Sequence, residues 1–101
     1  MHKTYILALT AGGAISEVEY VIRNHPQVLS YWNYIPFVFC LKSNASAKEL
    51  ATIFEKHASH FFIAEIEASN VNGRLPKPAW EWFNAPVEPD VLGGVRNRLS
   101  G

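Results

Sequence analysis

"YWNYIPFVFCLKSNASAKELATIFEKHASHFFIAEI", residues 31–66, decides the fold. Its first residues continue "VLS", and Tyr31, Trp32 and Tyr34 interleave with Ser30 and Asn33. Aromatics alternating with small polar residues predict an edge strand over 28–35. Pro36 has no N–H to give a ladder, so it belongs in a connection or at an edge. "FVFCLKS", residues 37–43, is apolar until Lys42, the pattern of a central strand covered on both faces. Ser46 and Glu49 then have capping-box spacing. Ala47, Leu50, Ala51, Phe54 and Ala58 recur at helical spacing, with Lys48, Glu55 and Lys56 opposite. A last strand follows over 61–67. Phe62, Ala64 and Ile66 form one face of it, and Ile63, Glu65 and Glu67 form a wetter one.

Working outward, "TYILALTA", residues 4–11, is apolar on both alternating sets and predicts a second central strand, broken by the "AGG" that follows. "SEVEYVIRNHP" predicts a helix. Ser16 and Glu19 repeat the capping-box spacing, Ile15 can staple to Tyr20, and Val18, Val21 and Ile22 supply the stripe. Pro26 stops it. The order is β-α-β-β-α-β, and right-handed crossovers put both helices on one face of the sheet. The expected fold class is therefore α+β: a ferredoxin-like βαββαβ four-stranded sheet with two helices on one face and a C-terminal arm. The expected domain spans 1–84, and 85–101, "APVEPDVLGGVRNRLSG", forms an arm or flexible tail whose Val91, Leu92 and Val95 could clasp a partner subunit.

Composition narrows the function. The 101 residues suit one domain, and 49% hydrophobic against 18% charged residues argues for a packed core. Zero formal net charge opposes a protein built around phosphate contacts, although a local basic patch stays open. The single cysteine, Cys40, excludes an intramolecular disulfide and a thiolate metal cluster, and fits a reducing cytoplasm. The start, "MHKTYILALTAGGA", reads as a strand leading into a helix rather than as a signal peptide. No apolar run is long enough to span a bilayer, so no membrane partner is expected.

The 31–66 run, together with the later "LPKPAWEWF", resembles a small bacterial group labelled SinR-family proteins. These are similar in turn to the CRISPR-associated ferredoxin-like nuclease of spacer acquisition and to VapD-type endoribonuclease toxins. The resemblance covers residues 3 to about 84 and rests on hydrophobic patterns and aromatics. It implies the ferredoxin-like fold and a homodimer. Nuclease members carry an aspartate at the end of the first strand, where two subunits bind a metal. Here Leu9, Thr10 and Ala11 stand in that place, so no catalytic residue, metal ligand or cofactor is carried over.

The candidate binding residues are Tyr31, Trp32, Tyr34, Arg74, Lys77, Trp80 and Trp82. The first three could stack bases of an RNA, or pack under a tail or in a dimer interface. "NGRLPKPAWEWFN", residues 72–84, is either a binding platform or a lid over a small core. Pro78 suits a first helical turn. Trp80 and Phe83, three apart, share a helical face that leaves Trp82 wetter. Arg74 and Lys77 could pair with Glu65 and Glu67. His57 and His60 have ligand spacing on a helix, but helix-end packing is the preferred reading. "TAGGA" matches no phosphate-binding fingerprint and reads as a turn. The expected function is a non-catalytic, cytoplasmic, dimeric protein that binds a protein or nucleic-acid partner in a toxin, phage or defence setting. The alternative is a metal-dependent endoribonuclease of the VapD or CRISPR-associated type using Glu65 or Glu67. A small-molecule sensor built on the aromatics is a third class.

Overall fold

The computed structural model describes residues 2–10, 15–87 and 97–98. In chain order the elements are β1 (Lys3–Leu9), α1 (Ile15–Asn24), β2 (Ser30–Ile35), β3 (Val38–Ser43), α2 (Ala47–Phe54), β4 (Phe61–Ile66), α3 (Lys77–Asn84) and β5 (Asn97–Arg98). The sheet runs β4-β1-β3-β2-β5. Its first four strands are antiparallel, and the two-residue β5 lies parallel to β2, with Ser30 opposite Asn97. The chain is thus α+β: α1 and α2 are the two helices expected between strands, and α3 is the short helix expected at Pro78. The proposed clasp residues Val91, Leu92 and Val95, and the "AGG" break, lie outside the described residues. Among those described, no helix is long and apolar enough to cross a membrane.

Local chemistry explains the elements that formed. The capping box at α2 is complete: Ser46 Oγ accepts from Glu49 N–H at 3.1 Å, and Glu49 accepts from Ser46 N–H at 2.8 Å. These bonds to Ser46 hold the Glu49 carboxyl below its usual range. Ser16, by contrast, lies inside α1, which already includes Ile15, so it is not the residue before the first turn. α1 ends at Asn24, two residues before Pro26. α2 stops at Phe54 and continues as a turn through His57, short of the Ala58 that its periodicity had reached.

Two cores result. On one sheet face, Tyr5, Leu7, Tyr31, Phe39 and Leu41 meet Val18 and Ile22 of α1 and Leu50 and Phe54 of α2. Tyr5 also donates its hydroxyl to the Ala45 carbonyl at 2.6 Å. On the opposite face, Trp32 and Cys40 meet Ala79, Trp82 and Phe83 of α3. This corrects the expected orientation of the tail. Trp82, expected to be the wetter tryptophan, is only 2% exposed, while Trp80 is half-buried. The inward face of α3 is Ala79, Trp82 and Phe83, at offsets of three and four residues, rather than Trp80 with Phe83.

The docking of α3 is polar as well as apolar. Lys42, 1% exposed, donates from Nζ to the Trp82 carbonyl and, at 2.7 Å, to the Ala85 carbonyl. Those carbonyls lie at the negative end of the helix dipole. The ammonium also sits 4.5 Å from the centroid of the Trp82 ring. Trp82 in turn donates from Nε1 to Ser30 Oγ at 2.7 Å. Truncating this anchor should be severe: Trp82→Ala costs about 3–5 kcal/mol, lowering the thermal midpoint by more than about 10 °C. Trp80→Ala, which loses a half-buried ring and one bond to the Leu75 carbonyl, should cost clearly less in the same melts.

Candidate functional site

Strand register assigns the second sheet face residue by residue. Across β1 and β3, Thr4 lies opposite Lys42, Ile6 opposite Cys40 and Ala8 opposite Val38. Across β1 and β4, the same three oppose Ile66, Ala64 and Phe62. On β2, Ser30, Trp32 and Ile35 face Lys42, Cys40 and Val38. α3 covers the end that carries Lys42 and Ser30. At the other end Ile6, Ala8, Val38 and Ala64 are only half-buried, and Phe62, Ile35 and Phe37 are 63%, 42% and 38% exposed. Tyr20, on α1, is the remaining exposed large hydrophobic among the described residues. Register puts Ile35 and Phe62 at this end of the second face, on strands separated by β1 and β3, and Phe37 is exposed in the turn beside it.

Two backbone irregularities build this end. Asn33 and Tyr34 fit into the ladder between the pairs Trp32–Cys40 and Ile35–Val38, where β3 supplies only Phe39. This bulge returns Ile35 to the second face; a regular strand would turn it toward the helices. Asn33 secures the bulge by donating from Nδ2 to the carbonyls of Ile35, at 2.9 Å, and Val38, at 2.7 Å. Next, Pro36 and Phe37 make the turn, with Phe37 at φ +66°. Proline followed by a left-handed residue is the type II pattern, which favours glycine at the second place. A phenylalanine there costs about 1–2 kcal/mol of backbone strain. Phe37 holds this conformation while 38% exposed.

The residues singled out from sequence are divided by the fold. Tyr31 turns to the helical side and packs against Phe39, ring centroids 6.3 Å apart. Trp32, 2% exposed, lies edge-on to Trp82 and Phe83 at 6.3 and 6.1 Å. Its Nε1 meets no acceptor among the described residues. Tyr34 is half-buried, 5.6 Å from Trp32. The structure thus brings Trp32, Tyr34, Trp80 and Trp82 into one cluster around α3, with Trp32 and Trp82 buried and Tyr34 and Trp80 half-buried. Arg74 and Lys77 are exposed; Lys77 reaches Glu81 at 3.9 Å along α3 rather than Glu65 or Glu67. Ile35, Phe37, Val38 and Phe62 were not singled out. Their available signal was the apolar pair flanking Pro36.

The acidic end offers weaker chemistry. His2, Thr4, Glu65, Glu67 and Phe83 line an open concavity of about 520 Å³. Burial, and then the charge of Lys42, push His2 below its usual range. Glu67 accepts from Ser69 Oγ at 3.2 Å. Among the described residues no group of three or more His, Cys, Asp or Glu side chains converges on a metal-sized site. His57 and His60 are not paired as ligands either: His57 donates from Nδ1 to Glu17 Oε2 at 2.7 Å, and His60 is exposed.

Cys40 is 3% exposed, and burial pushes its thiol from 9.0 up to about 12. The folded chain therefore keeps a proton that the unfolded chain loses above 9.0, so this contribution to stability falls as pH rises from 9.0 toward 12. Native protein at pH 8 should resist iodoacetamide, and denaturant should expose one reactive thiol; rapid native labelling would contradict this burial.

No protein-family model, curated protein or solved structure matches this chain.

Proposed function

We propose that the chain is a non-catalytic, ferredoxin-like homodimer, joined through the uncovered end of the second sheet face, that serves as a binding protein in the cytoplasm. One observation carries this reading: Ile35 and Phe62 stand exposed beside half-buried Ala8, Val38 and Ala64 on a face whose other end is closed by α3, and Phe37 is exposed in the adjoining turn. Apolar patches rimmed by polar residues are commonly resolved by association. The named patch residues carry no charge, which fits a copy of the same surface better than a phosphate backbone. The order β4-β1-β3-β2, with α1 and α2 on one face, supports the ferredoxin-like description. A further protein or nucleic-acid partner, and a toxin, phage or defence setting, belong to the same proposal through the resemblance of residues 31–66 and 75–83. Genomic neighbours test that setting.

The dimer is checked by light scattering. The mass should be twice the chain's 11.3 kDa at micromolar concentration and fall to that of one chain for Phe62→Lys, with helical content kept. Phe37→Gly should stabilise the folded subunit by about 1 kcal/mol through relief of the left-handed strain while weakening association. A wild-type mass of one chain at every concentration would refute the dimer.

The non-catalytic part is tested separately. Protein incubated with single- and double-stranded RNA and DNA, plus magnesium or manganese, should leave them intact. Cleavage that disappears in Glu65→Gln would replace this reading with a metal-dependent nuclease.

A further inference from the structure

A second concavity lies on the helical side, away from the proposed dimer face. It is a groove of about 300 Å³ between the end of α1 and the end of α2. Val21 and Ile53 form its floor and Pro26 closes one side. Tyr20 stands beside it, 68% exposed. The rim carries His25, Lys56 and His57, and no carboxylate lines the groove. Its volume is at the small end of the range for ligand sites, enough for a ring bearing one charged group.

The two imidazoles are held in complementary ways. His25 Nδ1 accepts the Gln27 N–H at 3.1 Å, so its ring proton sits on Nε2. His57 gives its Nδ1–H to the Glu17 carboxylate at 2.7 Å, which orients that ring from behind. In both rings Nε2 is the atom left to meet a ligand. A metal ion is a poor occupant: His25 already spends its Nδ1 lone pair on a backbone N–H, and metal-ligating histidines ordinarily donate from the second nitrogen. An anion suits two members of the set, because His25 Nε2–H and the Lys56 ammonium are donors, whereas His57 Nε2 is an acceptor and takes no part in holding it.

We infer that this groove binds a small aromatic anion, its ring resting on Val21, Ile53 and Tyr20 and its carboxylate or phosphate ester taken by His25 and Lys56. The ring supplies apolar contact that a free inorganic ion lacks, and the charged group supplies the orientation that a neutral ring lacks. The site stands on the opposite sheet face from Phe62, so it does not depend on the dimer.

The test is an NMR titration of the full chain with phenyl phosphate and benzoate, beside phenol, inorganic phosphate and zinc chloride. At least one aromatic anion should shift amides of residues 20–27 and 53–57, with phenol and inorganic phosphate each clearly weaker. His25→Asn keeps an acceptor for the Gln27 N–H and removes the Nε2–H, so it preserves the local turn; it and Lys56→Ala should each weaken binding about tenfold. Lys48→Ala, in the first turn of α2 and away from the groove, should bind like wild type. Phe62→Lys should also bind like wild type, which separates this result from the fate of the dimer. The inference is overturned if neither aromatic anion shifts these amides, if phenol or inorganic phosphate binds as well, if zinc alone binds there more tightly, or if folded His25→Asn and Lys56→Ala are unaffected.

Discussion

The ammonium of Lys42 sets the arrangement of the second sheet face. β3 is a central strand, and Lys42 lies on it 1% exposed. A buried cation without partners is strongly unfavourable. Burial indeed pulls the Lys42 pKa down. What it meets is the end of α3: two main-chain carbonyls and the face of Trp82. Carbonyls at a helix C-terminus are acceptors with lone pairs to spare: Trp82 O also takes the Ala85 N–H at 3.3 Å, and the ammonium completes the set. The lysine thereby ties α3 to one end of the sheet, and Trp82, held also by Ser30, fills the space between them.

That placement leaves the other end apolar and uncovered. Ile35 reaches it through the Asn33 bulge and Phe62 from the outer strand, and Phe37 is exposed in the left-handed turn beside it. The division of one face into a covered half and an exposed half therefore follows from the docking of one short helix. The helical side is filled by α1 and α2, with a groove near their ends whose rim is histidine and lysine.

Much of this frame was legible in the sequence because its signals are local. The capping box at Ser46 works through residues three apart, and the periodic apolar positions Leu50 and Phe54 point where expected. β1 and β3 also match their alternation, with β1 ending at Leu9 rather than at residue 11, whereas β2 is bulged and flanked by β5 instead of forming the edge, and β4 exposes Phe62 on the face expected to be drier. What was not legible depended on residues distant in sequence. Spacing alone allows Trp80–Phe83 or Ala79–Trp82–Phe83 as the inner face of α3; Lys42 and Ser30, about 40 and 52 residues away, favour the second. Ser16 and Glu19 show the limit of a motif, since α1 already includes Ile15. The turn at Phe37 hid the patch because phenylalanine is a rare occupant of a left-handed position.

The division of the second face is tested most directly by amide hydrogen exchange at two protein concentrations, one below and one above the association midpoint. Association through the uncovered end predicts that protection rises with concentration at residues 35–38 and 62–64, while residues 79–85 keep the same protection because α3 is already docked within each subunit. Protection that is independent of concentration, or that rises around α3 instead, would contradict the account.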